Sequence, residues 1–348
     1  MSTRTGIASL IFFLILIPSV FAMDWGYSGT RRVTLEDHLP HPLDSSNYLE
    51  QWTLYVRFDD ASSLVFQLSQ AAPSSEGNRS GISLILKRND GSVKEERQSC
   101  ELESMSRPFL LQCGDATISG SPAELKFRYT DSNTKLALIL NSQTDPFRPR
   151  AGRLMATENT NDFFDVMLTI PRAQAVGKID GKSVKGLGNF LHTYTNVPPQ
   201  KISRHWIQAN LNDDQVSIFF GVNVLKNNVA AAWFNISGNS GISYSTSDLH
   251  ITLGDLVKDP ERKGYFYPRT INMNSTEDDG FKVKISNLKL VGKPETISEI
   301  AAKEGNTARR GPAVRYTLEG NAVIDWPMGG QLMTTRKTLL VQVRQFGE

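Results

Sequence analysis

The sequence has little cysteine, little helical periodicity and almost no excess charge. Two cysteines among 348 residues, Cys100 and Cys113, are too few for a disulfide-dense scaffold or a cysteine-built zinc centre. A net charge of +2 gives no reason to expect nucleic acid or an anionic membrane as the main partner. After the N-terminal segment no apolar run approaches the ~20 residues needed to span a bilayer, so a soluble mature protein is expected. The chain has no Walker loop, no G-x-S-x-G elbow and no H-E-x-x-H run. "GLG" at Gly186–Gly188 lacks the register and the βαβ setting of a dinucleotide site. The five histidines, at 38, 41, 192, 205 and 250, are scattered. His38 and His41 are close ("DHLPHP") but sit in a Pro-rich leader that reads as a strap over a barrel. The expectation is no metal, no cofactor and no assigned catalytic residue.

The N-terminus carries Arg4 and then "GIASLIFFLILIPSVFA", an apolar run ending in small residues. Val20 and Ala22 stand where a signal peptidase expects them ahead of Met23, so residues 1–22 read as a secretory signal. An uncleaved membrane anchor is the alternative. In an oxidising compartment Cys100 and Cys113 form a disulfide candidate, because "CELESMSRPFLLQC" looks like two short strands about a turn; two unpaired buried cysteines are the competing reading. Asn78, Asn235 and Asn274 begin N-x-S/T sequons, which go with such a route.

What the chain does have is alternation. "WTLYVRF" puts Trp52, Leu54, Val56 and Phe58 on one face; "LKFRY", "KLALIL", "VSIFFGVNV", "DLHITL", "FKVKI", "VRYTL" and "LLVQV" repeat the pattern. A period of two means half-buried antiparallel strands. Asp59-Asp60, Asn89-Asp90-Gly91, Asn212-Asp213-Asp214 and Asp278-Asp279-Gly280 supply turns. "PETISEIAAKEG" is the best short helix. Residues 169–186 are poor in apolar side chains and read as a break. The predicted division is a leader or strap at 23–48, an N-terminal barrel at 49–172 and a C-terminal barrel at 173–348. The two parts begin alike, "EQWTLYVRF" and "SRHWIQANL".

On the positions Gly186, Gly188, Phe190, His192, Pro198, Arg204 and Trp206, the segment "GLGNFLHTYTNVPPQKISRHW" resembles the fungal survival-factor family. "YLEQWTLYVRFDDASSLVFQLSQA" is similar to that family's first hairpin. It is similar too to the glutamate-Trp-aromatic hairpin of the wider group: AttH-like proteins, carotenoid 1,2-hydratases and fungal Diels–Alderase-type cyclases. The resemblance implies an all-β fold of two tandem lipocalin-like (calycin) antiparallel β-barrels packed side by side, with few short helices. It also implies binding or transfer of a lipid, with a link to oxidative-stress survival. The Asp-His-x-Trp-Gly run of many hydratase-like and AttH-like members is replaced by Leu191-His192-Thr193-Tyr194, which argues against hydratase chemistry.

The candidate ligand contacts are His192, Tyr194, Phe190, His205, Trp206, Trp233 and Trp52. Alternation puts His205 with Ile207, Ala209 and Leu211 on an apolar face and Trp206 on the opposite one. Trp206 suits a barrel mouth or a contact between barrels. Ala230, Ala231 and Ala232 leave room beside Trp233. His192 fits three roles: satisfying backbone groups, contacting a ligand, or serving as a general acid. The leading reading is a secreted or lumenal monomer that binds a hydrophobic small molecule or lipid, ceramide- or isoprenoid-like, with peripheral membrane contact and no nucleic acid. The alternatives are a hydratase- or cyclase-type enzyme acting on an apolar substrate, and an interaction module with filled barrels.

Overall fold

The computed structural model describes residues 33–345 except the segments 75–76, 149–152, 156–162, 197–204, 213–216, 226–227, 239–240, 247–248, 277–278 and 298–312. The expected signal segment, Pro198 and Arg204 lie outside the described residues. A single 3-10 turn, Glu36–His38, is the one helical element among the described residues. Everything else regular is strand, and the fold is all-β, two barrel-like antiparallel sheets side by side.

The first sheet contains β1 (Leu49–Phe58), β2 (Ser63–Ser74), β3 (Gly77–Lys87), β4 (Val93–Cys100), β5 (Leu102–Ser106), β6 (Phe109–Cys113), β7 (Ala116–Gly120), β8 (Glu124–Thr130), β9 (Lys135–Ser142), β10 (Arg153–Met155), β11 (Phe163–Ile179) and β12 (Lys182–Thr195). Its order is β4-β3-β2-β1-β12-β11-β9-β8-β7-β6-β5, with β10 on β11. The second contains β13 (His205–Asn212), β14 (Ser217–Leu225), β15 (Asn228–Gly238), β16 (Gly241–Thr246), β17 (Leu249–Gly254), β20 (Thr270–Ser275), β21 (Lys282–Leu290), β22 (Glu295–Ile297), β23 (Ala313–Met328) and β24 (Gln331–Gln345). A separate small hairpin, β18 (Val257–Lys258) with β19 (Phe266–Tyr267), lies between β17 and β20.

The two sheets repeat one plan. In each, the first strand pairs with the last, β1 with β12 and β13 with β24. In each, the last strand closes a long hairpin with the strand before it. Both hairpins turn on two residues with positive φ, Asp180-Gly181 at 50° and 82° and Gly329-Gly330 at 60° and 79°. Positive φ at both central positions is the signature of the type I′ turn, whose twist suits paired strands.

The sequence placed the boundary at 172/173, but β11 and β12 belong to the first sheet. The division falls between Thr195 and His205. Residues 169–186 looked like a linker because they are small and polar. All but the Asp180-Gly181 turn are strand, and glycine stands where a neighbouring backbone presses close. A Cβ on Gly177 would come within 2.0 Å of Ala137 O, and one on Gly186 within 2.1 Å of Arg57 O. The start of the expected helix is also strand: Glu295–Ile297 pairs with β23, and the rest of that segment lies outside the described residues.

Burial follows from position. β8 reads exposed-buried in strict alternation, with Leu125, Phe127 and Tyr129 inward. Large side chains, among them Trp52, Phe66, Phe109, Phe127 and Phe190, fill the first barrel, each worth roughly 1.5–3 kcal/mol by burial. β1 and the second half of β12 are buried on both faces. Their inner face lines the first barrel and their outer face meets the second. That seam has its own apolar cluster, including Tyr55, Leu191, Trp206, Trp233 and Leu340. Cys100 and Cys113 are disulfide-bonded, Cα to Cα 5.4 Å, and tie the end of the edge strand β4 to β6.

Candidate functional site

Two groups of buried polar side chains stand out, one on each face of the β1–β12 pair. The first lies inside the first barrel, beneath residues 33–48. Register places Glu50 opposite Tyr194 and Trp52 opposite His192. Period two then puts all four on the inner face. The leader crosses over them. Trp52 Nε1 donates to His38 O at 2.8 Å, Leu35 and Leu39 pack on the core below, and buried Asp37 is ion-paired with buried Arg148.

Glu50 is the hub. It is fully buried and accepts from the His41 backbone N–H at 3.0 and 2.9 Å, from the Tyr48 hydroxyl, from His41 Nδ1 at 3.1 Å and from His192 Nε2 at 2.6 Å. Burial alone would raise its pKa; the bonds from His192, His41 and Tyr48 outweigh that and hold the carboxyl down at about 2. Burial, then the neighbouring Glu50 charge, pushes the Tyr48 phenol up. His192 Nδ1 faces Asp37 O at 2.7 Å. A carbonyl only accepts, so Nδ1 carries hydrogen, and a further proton is held between His192 Nε2 and Glu50 Oε1. The His192 ring stacks on Trp52 at 4.7 Å, and His41 stacks on Tyr194 at 4.5 Å.

His41, Glu50 and His192 are also a two-histidine, one-carboxylate set, with ligand atoms within 4.8 Å of one another. Those residue types could hold zinc or ferrous iron. Each of the three ligand atoms is engaged with another group of the set.

The second group lines the seam. Gln51, Thr53 and Tyr55 of β1 and Asn189, Leu191 and Thr193 of β12 face Trp206, Gln208 and Asn210 of β13 and Leu340, Gln342 and Arg344 of β24. Tyr55 donates to Gln342 Oε1 at 3.1 Å, and Arg344 Nη1 donates to Gln51 Oε1 at 2.7 Å. Several buried atoms have no hydrogen-bond partner among the described residues: both amide atoms of Asn189, Gln208 Oε1, Asn210 Oδ1, and Arg344 Nε and Nη2. A small pocket opens at one end, among Tyr55, Arg57, Asn210 and Leu340.

The residues expected to form one site therefore divide. Trp52, Phe190, His192 and Tyr194 lie inside the first barrel. Trp206 and Trp233 meet in the seam, rings 5.7 Å apart. His205 is half-buried and shares its face with Ile207, a core residue of the second barrel. His192, read from its sequence as part of the second barrel, belongs to the first, with both ring nitrogens taken by protein groups. Tyr48 and Arg344 carried no local signal; His41 was read only as part of the strap, and Glu50 only as the glutamate of the hairpin resemblance. Only strand pairing brings Glu50 to His192.

No family model matches the chain, and no curated protein matches it. Solved structures do. The AttH-type protein NE1406 of Nitrosomonas europaea aligns with a TM-score of 0.62 at 12% identity over 92% of this chain and 98% of that one. CghA with Sch210972 aligns at 0.59 and 9%, over 87% and 89%. Kievitone hydratase of Nectria haematococca aligns at 0.57 and 11%, over 92% and 97%. At these identities the likeness is one of fold: the chain has the double lipocalin-like architecture of this wider group.

Proposed function

We infer that this protein binds an amphipathic small molecule in the seam between its barrels. The observation that carries this is the row of buried polar atoms of Asn189, Gln208, Asn210 and Arg344, without partners among the described residues, beside the Trp206–Trp233 wall. A buried polar group without a partner costs free energy, and a ligand that supplies partners recovers it. Aromatic walls with a few convergent polar groups are the usual composition of a small-molecule site. Lipocalin-like neighbours support a hydrophobic ligand. The ceramide- or isoprenoid-like character of the ligand's apolar part, the monomeric state, the secretory route and a place in the survival-factor branch belong to the same proposal. The disulfide is compatible with an oxidising compartment.

The test is extraction of the purified protein and mass spectrometry of what is released, with Trp206→Phe and Trp233→Phe used to assign fluorescence quenching on rebinding. A released apolar molecule that quenches both tryptophans supports the reading. No released molecule, and no quenching or change in melting temperature with added lipids, ends it.

A second reading, an enzyme protonating an apolar substrate, is favoured by the proton held between Glu50 and His192 and by the hydratase among the structural neighbours. That proton lies on the opposite face of β1 and β12 from the seam, so a substrate must displace the leader to meet it. Hydration or cyclisation turnover by the full chain, lost in Glu50→Gln with seam binding retained, would select it.

A further inference from the structure

Resting on the seam reading, we propose that Arg344 is the head-group anchor and that the ligand is an amphipathic carboxylate. Arg344 is 5% exposed, yet no carboxylate pairs with it among the described residues. The acid whose charge acts on it, Glu295, is taken by others. Arg315 Nε donates to Glu295 Oε2 at 2.7 Å, Arg315 Nη2 bonds the same oxygen, and Arg97 Nε lies 3.4 Å from Oε1. Arg315 stands directly beside Arg344 on the neighbouring strand, a like charge. Burial first, then Arg315, lowers the Arg344 pKa to about 9, so it is still a cation at neutral pH.

The geometry of what remains free narrows the ligand. Nη1 is spent on Gln51; Nε and Nη2 have no partner among the described residues. Those two N–H groups form the side-on edge of the guanidinium, two parallel donors spaced to match the two oxygens of a carboxylate. Trp206 is cross-strand neighbour to Arg344 on the other side and belongs to the apolar seam cluster with Leu191 and Trp233. A planar anionic head on Arg344 with an apolar tail along that wall meets both requirements. A neutral lipid head leaves the buried charge uncompensated.

The experiment compares dodecanoate with dodecanol, equal in chain length, by equilibrium dialysis against the full chain after lipid extraction. The expected result is dodecanoate bound at least about tenfold more tightly, in line with one charge-assisted pair. In Arg344→Gln the preference falls to about twofold or less. Arg344→Met, of similar volume, serves if the glutamine variant does not fold. Both should melt no lower than the wild type, since each removes a buried unpaired charge. Equal binding of the two probes to the wild type, or a preference that survives in the variants, overturns the anchor and leaves the seam reading standing. Binding of neither probe overturns both.

Discussion

Glu50 Oε1 and His192 Nε2 lie 2.6 Å apart, fully buried, on neighbouring strands 142 residues apart in sequence. Removing one member of such a pair strands the other in the core. Glu50→Ala should lose about 3–5 kcal/mol of stability. Glu50→Gln should show a pH effect as well. The folded carboxyl sits at about 2 against an ordinary 4.5, so its stabilisation is complete above 4.5 and is lost as pH falls through about 2. Urea titrations across that window should give a shallower pH slope for the glutamine variant than for the wild type. Identical slopes would show that Glu50 is not the linked group.

His38 should act in a higher window. Burial chiefly, aided by the nearby His192, lowers its pKa from 6.5 to about 4, while its Nδ1–H donates to Thr34 O at 3.1 Å. The unfolded chain takes up a proton below 6.5; the folded ring does not until about 4. Stability is therefore whole above 6.5 and declines as pH drops towards 4, by about 3 kcal/mol at most. His38→Gln should remove that decline. Ring NMR should show His38 staying neutral to about pH 4; a His38 midpoint near 6.5 would contradict the buried placement.

The disulfide closes a short loop around the β5–β6 hairpin and fastens the sheet edge. Cys100→Ser with Cys113→Ser should cost about 3 kcal/mol, the loop-entropy value for a ring of this size. Reductant should lower the denaturation midpoint of the wild type and leave that of the double variant unchanged.

How much of this could be read beforehand depended on which face a strand turned to water. β8 and β9 have one wet face, and their alternation gave them away. β1 and β13 carry polar residues on a face that is also buried. Alternation put Gln51, Thr53, Gln208 and Asn210 on the polar face of their strands, but only strand pairing shows that a second barrel covers that face. Small residues in β11 and β12 hid a hairpin, because close backbone approach selects glycine where a hydrophobic pattern would otherwise show. His192 and the two cysteines were legible as residue types. Arg344 was not, and Glu50 stood only as the glutamate of the hairpin resemblance, since each owes its role to partners supplied by remote strands.

Seam contacts should differ in weight by burial. Glu319 bridges to Arg57 at 3.7 Å and to Lys87, all partly exposed. Glu319→Ala should cost under about 1 kcal/mol. Tyr55 is 1% exposed, and Tyr55→Phe leaves Gln342 Oε1 without its hydroxyl donor. That loss should be about 1–3 kcal/mol. Denaturant midpoints of the two variants, with the double variant to check additivity, decide the ranking. A larger loss for Glu319→Ala would mean that the barrels are held at the rim.

The sequons divide on the same ground. Asn235 is fully buried on β15, and neither amide atom has a partner among the described residues. A glycan there has no room, which corrects the expectation from its sequence. Asn274 is exposed on β20, with its amide directed to Ser275 O at 3.3 Å. The side chain of Asn78 lies outside the described residues. Expressed through a eukaryotic secretory route, the folded protein should carry sugar at Asn274 and none at Asn235, read by glycopeptide mass spectrometry. Occupancy at Asn235 would require β15 to be open when the transferase acts, because the finished sheet covers that side chain completely.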